Sequence, residues 1–371
     1  MDQTLCLREG TCSTLPNPDA DIQSLKDSRA LIIGGVTLFV HYVYHESGSE
    51  TLSEKQNKRV NLEFFLQEAV LKAPSSVEFY FTSTGYMPSN KEYFDSLGAS
   101  PVLHRDLIFP TDKTNIHLSF GQSSTTDLCQ HGRWLSTANH TWGPTSFVLF
   151  LNDGVRGPFM TNPYVDSFLE NPFLHSAGVP RWFLPFLAKF NKNKKLAMVG
   201  PLLSSEISSH LQSHTISLRP ISEHFFGNVS QLLLKTCDMP KHEAILEGEV
   251  GLSRSTLQQG LSIASFFPDT NNITVWDDMC MCLGSWVNSH LPACYDVKEE
   301  NPASELSNTT PLESLGKTKN PTFWFRGPAS HVVFAKYGGE VLRLGLLPQQ
   351  LHDDILIYTR TVLANDTWEP L

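Results

Sequence analysis

The feature that most constrains the fold is a series of apolar runs separated by stretches with helical periodicity. Residues 30–44 form a continuous run of Leu, Ile, Val, Phe and Tyr broken by two glycines, and residues 146–151 are apolar after the first. Such runs are typical of strands buried on both faces of a parallel sheet. Between them, apolar residues recur on one helix face at Leu62, Phe65, Leu66, Ala69 and Val70. This alternation predicts an α/β fold, a Rossmann-type sheet covered by helices on both faces.

The same patterns predict further elements along the chain. Strands are expected at residues 77–82, 116–120, 195–200 and 211–218, and a short apolar segment follows at 261–267. Helices are expected at residues 125–138, 222–235 and 243–259, the first of them capped by Ser124 or Thr125. The chain therefore continues the alternation of strands and helices past its midpoint.

Composition divides the chain into four parts. Residues 1–28 are polar and lack apolar periodicity, which predicts a flexible N-terminal arm. Residues 29–294 carry the strand and helix patterns and form the predicted domain. Residues 295–320 are rich in Glu, Ser, Asn, Thr and Pro, as in a linker or disordered loop. Residues 321–371 regain apolar character, and we expect them to pack on the domain.

Charge and hydropathy exclude two classes of protein. The formal net charge is -10, whereas nucleic-acid binding needs clustered Lys and Arg in excess. The longest apolar run, residues 31–44, is too short to span a bilayer and contains His41. We therefore expect a soluble protein without a transmembrane segment. Its location is open: cytoplasmic by default, or the Golgi lumen if an N-terminal anchor is missing from this sequence.

The cysteines give no sign of a disulfide framework or a zinc site. There are 7 of them, an odd number, and their spacing is scattered. They include no zinc-finger arrangement of Cys and His pairs. Five Asn-x-Ser/Thr sequons do not settle the compartment, because a chain rich in Asn, Ser and Thr produces several by chance. Most of the thiols are expected to be small buried apolar groups.

The residues that follow the predicted strand at 146–151 are the strongest candidates for a binding site. The strand runs directly into Asn152, Asp153 and Gly154, followed by Arg156 and Gly157. Ligands of open α/β sheets collect at the carboxyl ends of strands. Carboxylate and amide oxygens suit Mg²⁺ or Mn²⁺, and a guanidinium can bridge a phosphate. The alternative is an ordinary turn, because Asn, Asp and Gly are common loop residues.

These residues resemble a known family. Residues 150–159 read Phe-Leu-Asn-Asp-Gly-Val-Arg-Gly-Pro-Phe, which is similar to a signature of glycosyltransferase-like proteins that include relatives of rhamnan-synthesis protein F. Segments at 42–46, 61–66, 127–132, 210–213 and 249–254 resemble the family in the same order, with a weaker match at 330–336. The resemblance spans roughly residues 30–267. It implies a GT-A fold and transfer of a sugar from a nucleotide-sugar co-substrate to the hydroxyl of a glycan or another acceptor.

The resemblance also implies roles for single residues on the donor side. Asn152 and Asp153 would face the donor diphosphate or a metal ion held by Asp153. Arg156 would support the loop or contact phosphate, with Gly157 beside it in the donor-binding segment. Asp127 would approach the nucleoside or the sugar.

On the acceptor side, Glu249 would be the base that deprotonates the acceptor, with Glu247 as a rival. Gln212 and His331 would contact the acceptor or the donor. Both glutamates could equally be solvated helix residues, and a single His is more often structural than functional.

One departure from the family pattern bears on metal binding and on function. GT-A metal sites commonly show two acids in Asp-x-Asp spacing, whereas here position 151 is Leu and position 155 is Val. One carboxylate holds Mn²⁺ or Mg²⁺ weakly unless the substrate phosphates contribute. The single acid therefore keeps open a non-catalytic protein of the same fold that binds nucleotide sugars or glycans. A Ser or Cys hydrolase is disfavoured, because the chain has no Gly-x-Ser-x-Gly elbow.

Overall fold

The computed structural model describes residues 35–85, 114–121, 125–138, 142–143, 145–159, 178–201, 203–204, 210–222, 224–266, 333–338 and 349–363. Two short strands near the N-terminus are described as well, β1 (Thr4–Cys6) and β2 (Cys12–Thr14). They pair antiparallel within the segment predicted as an arm.

The first half of the fold consists of parallel strands joined by helices. Strand β3 (Thr37–Glu46) leads into helix α1 (Leu52–Phe65), which continues through a π-helical turn (Leu66–Val70). The next elements are β4 (Val77–Gly85), β5 (Ile116–Gly121), α2 (Asp127–Thr137) and β6 (Ser146–Asn152). The pairs β3–β4, β4–β5 and β3–β6 are all parallel.

The second half contains shorter elements. In chain order they are β7 (Val155–Arg156), a 3-10 turn (Arg181–Phe183), α3 (Leu184–Lys192), β8 (Leu196–Gly200), β9 (Leu203–Ser204), β10 (His210–Leu211) and β11 (Thr215–Leu218). They continue with α4 (Phe225–Lys235), a 3-10 turn (Thr236–Asp238), α5 (Lys241–Ala244), a π-helical segment (Ile245–Val250), α6 (Gly251–Gln258), β12 (Ser262–Ser265), β13 (Ala335–Lys336) and α7 (Gln349–Leu363).

Seven strands form one mixed sheet in the order β12-β8-β11-β6-β3-β4-β5. Strand β11 runs antiparallel to both of its neighbours, and the other pairs are parallel. Renumbered along the chain, the order reads 3-2-1-4-6-5-7 from one edge. This is the α/β, GT-A-like Rossmann-type sheet that the sequence predicts. Strands β4 and β5 lie on one side of β3, and β6 lies on the other side of β3. The strand order therefore reverses between β3 and β6.

Helices cover both faces of the sheet because the strand side chains alternate. Leu38, Val40 and Tyr42 of β3 pack in one core layer with apolar residues of α1 and α3. Phe39 of the same strand packs in the opposite layer with α2, α4 and α6. Burial on both faces explains why these strands read as continuous apolar runs.

The C-terminal elements contact the first helix. Strand β13 pairs antiparallel with β7, with Ala335 opposite Arg156 and Lys336 opposite Val155. Ile355 of α7 is fully buried in a cluster that includes Phe64 of α1. The tail therefore holds the segment that follows β6. The predicted linker at 295–320 lies outside the described residues.

The structure corrects the expectation about the cysteines. Cys129 of α2 and Cys237, in the turn after α4, form a disulfide across a sequence separation of 108 residues. The spacing of cysteines in the sequence cannot reveal such a bridge, because the two residues are brought together by packing of α2 on α4. Cys129 and Cys237 are therefore bridged rather than free.

Several predicted boundaries shift. The strand predicted from residue 30 begins at Thr37, and residues 30–34 lie outside the described part. Helix α2 is capped by the side chain of Thr126, which accepts from the N–H of Cys129, so the cap lies one residue after the predicted Thr125. The strand predicted at 211–218 is two strands, β10 and β11. None of the described helices has the length and apolar character needed to cross a bilayer.

Candidate functional site

Two polar side chains meet where β6 ends and α2 begins. The amide of Asn152 donates to Asp127 Oδ2 at 2.6 Å, and its Oδ1 accepts from the Gly154 N–H at 3.0 Å. Both residues are partly exposed, and Asp127 is the first residue of α2. They lie at the carboxyl edge where the strand order reverses, which is where open α/β sheets bind ligands. Two of the residues predicted for donor binding are therefore brought together.

Asp153, the next residue, points into the protein. Only 8% of it is exposed. Its Oδ2 accepts from the His45 N–H at 2.6 Å and lies 3.3 Å from Lys58 Nζ. Burial raises the pKa of Asp153 to about 6, although Lys58 and the His45 N–H act in the opposite direction. The carboxylate of Asp153 ties the loop to β3 and α1, and its contact with the donor or a metal ion stays a prediction.

Arg156 is completely buried. Its Nε donates to Asn61 Oδ1 at 2.8 Å, one terminal nitrogen to Asn57 and the other to Thr359 of α7. The guanidinium also lies 4.2 Å from the ring centre of Tyr337. Arg156 was predicted either to support the loop or to contact phosphate. The geometry fits support of the loop, because all three guanidinium nitrogens donate to groups within the protein.

Gly157 has a packing role. Its φ is +143°, and a Cβ atom there would lie 2.5 Å from the carbonyl oxygen of Val333. Only glycine fits, because both the backbone conformation and the space are restricted. Gly157 therefore allows residues 333–334 to lie directly against the loop, and no contact with a donor follows from its position.

A second polar cluster surrounds Glu249, which lies in the π-helical segment before α6. His210 Nε2 is 3.1 Å from Glu249 Oε1, and the Ser213 hydroxyl donates to Oε2. Burial alone would raise the pKa of Glu249, but His210, Ser213 and Lys336 together lower it to about 2. The carboxylate therefore stays ionised at neutral pH and accepts protons weakly. This argues against Glu249 as the base, which the resemblance implied.

Glu247, its rival, has a side chain that is 59% exposed and 4.0 Å from Arg254. It is a solvated helix residue. His331, predicted to contact the donor or the acceptor, lies outside the described residues.

Two buried side chains beside this cluster have unpaired polar atoms. Neither ring nitrogen of His214 nor Oε1 of Gln212 has a hydrogen-bond partner in the described structure. His214 is 2% exposed and Gln212 is 8% exposed. Burial, with Lys336 nearby, lowers the pKa of His214 to about 3, so the imidazole is neutral. A buried polar atom without a partner costs stability, and unpaired atoms of this kind also occur elsewhere in the described core, for example at the Trp182 ring nitrogen.

Backbone pairing connects the two clusters. The Asn152 N–H donates to the His214 carbonyl at 3.4 Å, because β11 lies beside β6. Lys336 of β13 is opposite Val155, and the Tyr337 N–H donates to the Gly154 carbonyl at 2.7 Å. The Asn152–Gly154 turn is therefore bonded through its backbone to His214, next to the Glu249 cluster, and to the segment that carries Lys336.

Sequence reasoning missed Lys58, His45, His214 and Lys336. His45 and Lys336 lie in segments that resemble the family, at 42–46 and 330–336, but no role was assigned to any of the four residues. Each reaches the site only through strand pairing or helix packing. In the part of the chain that the structure describes, no group of three or more His, Cys, Asp or Glu residues could hold a metal ion.

No protein-family model matches the chain, and no curated protein sequence matches it. Among solved structures, the chain is similar to a cytidylyltransferase from Leptospira borgpetersenii, with 11% identity over 74% of this chain and 98% of that chain and a TM-score of 0.27. A transferase variant with two cysteine-to-serine substitutions has 9% identity over 68% of this chain and 91% of that chain, with a TM-score of 0.21. Both proteins are transferases, but similarity this low neither assigns the chain to a family nor links it to rhamnan-synthesis protein F.

Proposed function

We propose that the chain is a glycosyltransferase that moves a sugar from a nucleotide-sugar donor to a hydroxyl group of a glycan, lipid or protein. The observation that carries the proposal is the meeting of Asp127 and Asn152 at the carboxyl edge of the sheet, between β3 and β6. A doubly wound sheet offers its natural ligand crevice at that position.

The donor would lie against Asp127 and Asn152. A carboxylate at this edge can accept hydrogen bonds from ribose or sugar hydroxyls, and an amide can donate to a diphosphate oxygen. The N-terminal end of α2 favours negative charge through the helix dipole, while its Leu128 and Cys129 N–H groups are bonded to Asp127 and Thr126. Asp153 and Arg156 act as positioning residues, since both are buried and hold the loop from behind.

The acceptor would lie against the Glu249 cluster. Transfer of a sugar develops positive charge at the anomeric carbon. Glu249, whose side chain is 15% exposed, is an ionised carboxylate that a ligand can reach. We assign it the stabilisation of this positive charge rather than removal of the acceptor proton, because a group with a pKa of about 2 is a weak base.

A second candidate is a protein of the same fold that binds nucleotide sugars without turnover. Two observations favour it: Asp153 is engaged by Lys58, and Glu249, the base that the resemblance implies, has a pKa of about 2 and is therefore a weak base. Hydrolysis or transfer of a bound donor would separate the two functions, since a binding protein leaves the donor intact.

The test of donor binding is titration calorimetry with UDP, GDP and CDP. We expect one of them to bind, and Asp127→Asn to weaken that binding about tenfold or more, because a hydrogen bond to a charged group contributes about 1.5–3 kcal/mol. The exposed Glu247→Gln variant is the matched control and should bind like wild type. Full affinity in folded Asp127→Asn would remove Asp127 from the site, and no binding of any of these nucleotides would refute the proposal.

A further inference from the structure

Lys58 of α1 places its ammonium group among three oxygen atoms. Nζ lies 2.6 Å from the carbonyl oxygen of His45, 2.9 Å from Glu50 Oε1 and 3.3 Å from Asp153 Oδ2. The side chains of Lys58, Glu50 and Asp153 are 16%, 19% and 11% exposed. One positive charge is therefore enclosed by two carboxylates and a carbonyl.

This set of oxygen atoms is what a divalent ion would use. Carboxylate and carbonyl oxygens are the ligands that Mg²⁺ prefers, and Mn²⁺ takes the same types. The set lies directly behind Asn152, where the GT-A resemblance implies an ion bound to Asp153. With Lys58 in place, Asp153 Oδ2 faces an ammonium and a backbone N–H, which are hydrogen-bond donors and not metal ligands. The residues present do not fit a divalent ion.

The charges explain why a cation is needed at this position. Two largely buried carboxylates that share one centre repel each other, and burial adds the cost of their desolvation. Burial by itself would lower the pKa of Lys58, but Asp153 and Glu50 raise it, so the ammonium stays charged. Without Lys58 the carboxylates would either take up a proton or bind a cation from solution.

We propose that Lys58 is a built-in cation that replaces the metal ion of this site, so that the site binds its nucleotide diphosphate without added metal. The identity of the ligand rests on the proposed function, whereas replacement of the ion rests on the geometry around Lys58. The site should become a metal site when Lys58 is removed.

The first experiment measures Mn²⁺ binding by electron paramagnetic resonance, without nucleotide. Wild type should bind no Mn²⁺ at this site. Lys58→Ala, and Lys58→Met as a bulkier second variant, should bind Mn²⁺ at this site, with an affinity about tenfold or more above any residual binding by wild type. Adding Asp153→Asn to Lys58→Ala should abolish the gain. Lys72→Ala is the control, since Lys72 is an exposed lysine in the turn that follows the same helical segment, where it pairs with the buried Glu68.

Circular dichroism establishes that each variant is folded. Asp153-dependent Mn²⁺ binding by wild type would overturn the inference, as would folded Lys58 variants that gain none. The second experiment repeats the nucleotide titration with EDTA and with Mn²⁺. Equal affinity in both is expected, and binding that requires Mn²⁺ would refute the built-in cation while leaving the proposed function standing. If no nucleotide binds, the proposed function fails, and the Mn²⁺ data for the variants still decide the role of Lys58.

Discussion

Neighbouring residues of the 152–157 segment have separate tasks in the fold. Asn152 faces the sheet edge beside Asp127, Asp153 turns toward α1, and Arg156 is buried under α7. The sequence correctly predicts that a strand ends here in polar residues. It cannot predict which side chain faces outward, because that depends on His45 and Lys58, which lie in other elements.

The acid-base behaviour of Glu249 is testable at the level of one residue. Its pKa in the folded protein is about 2, below the ordinary value of 4.5. Its contribution to stability is therefore fully present above about pH 4.5 and is lost as the pH falls toward 2. We expect this contribution to be about 2–3 kcal/mol.

Urea unfolding from pH 2.5 to pH 7 measures this effect. Glu249→Gln should be less stable than wild type at pH 7, and the difference should shrink as the pH falls below 4. Glu247→Gln, an exposed carboxylate in the same segment, should follow the wild-type curve. A constant difference between Glu249→Gln and wild type at all pH values would show that the pKa of Glu249 is not lowered.

At the scale of elements, the sequence predicts most of the sheet. Strands β3 and β6 were recognisable because burial on both faces demands an unbroken apolar run. In β4, which contains Glu78, buried residues alternate with partly exposed ones over the first four positions, and alternation is the other strand pattern. The division between β10 and β11 could not be recognised in the sequence, because residues 211–218 keep enough apolar character to be predicted as one strand. The antiparallel direction of β11 was equally unpredictable, since it depends on pairing with β6 and β8.

Helix α7 offers a prediction at this scale. Arg156 donates to Thr359 of α7 and to two asparagines of α1, so it joins the two helices. Arg156→Lys keeps the charge but cannot form three hydrogen bonds in this geometry. We expect a loss of about 2–3 kcal/mol in the free energy of unfolding.

Hydrogen exchange is the suitable measurement for this variant, since it reports local opening. The amides of residues 349–363 should lose protection more than those of β3 and β6. Arg254→Lys, at the exposed Glu247 pair, is the matched control and should change stability by less than about 0.5 kcal/mol. Unchanged exchange in α7 would mean that Arg156 does not hold that helix.

At the scale of the whole molecule, the disulfide between Cys129 and Cys237 bears on both stability and location. It closes a loop over a sequence separation of 108 residues and joins α2 to the turn that follows α4. Bridges of this kind form in oxidising compartments.

Removing the bridge should lower the free energy of unfolding by about 2–5 kcal/mol, because the unfolded chain gains freedom. Chemical denaturation of wild type and of Cys237→Ser, each with and without dithiothreitol, measures this. Wild type should be destabilised by the reductant, and Cys237→Ser should not respond to it. A wild-type protein that is indifferent to dithiothreitol would contradict the prediction.

The pairing of β7 with β13 joins two distant parts of the chain, so the protein can be tested as two fragments. Residues up to 266 contain all seven strands of the main sheet, whereas the partner strand of Val155 and Arg156 comes from residues 335–336. A chain cut before residue 333 should keep its sheet and the contacts of Asp153 with His45 and Lys58, yet lose the support that β13 gives to the turn after β6. Adding residues 333–363 as a separate peptide would then complete the molecule from two fragments, and recovery of ligand binding on mixing would report their reassembly.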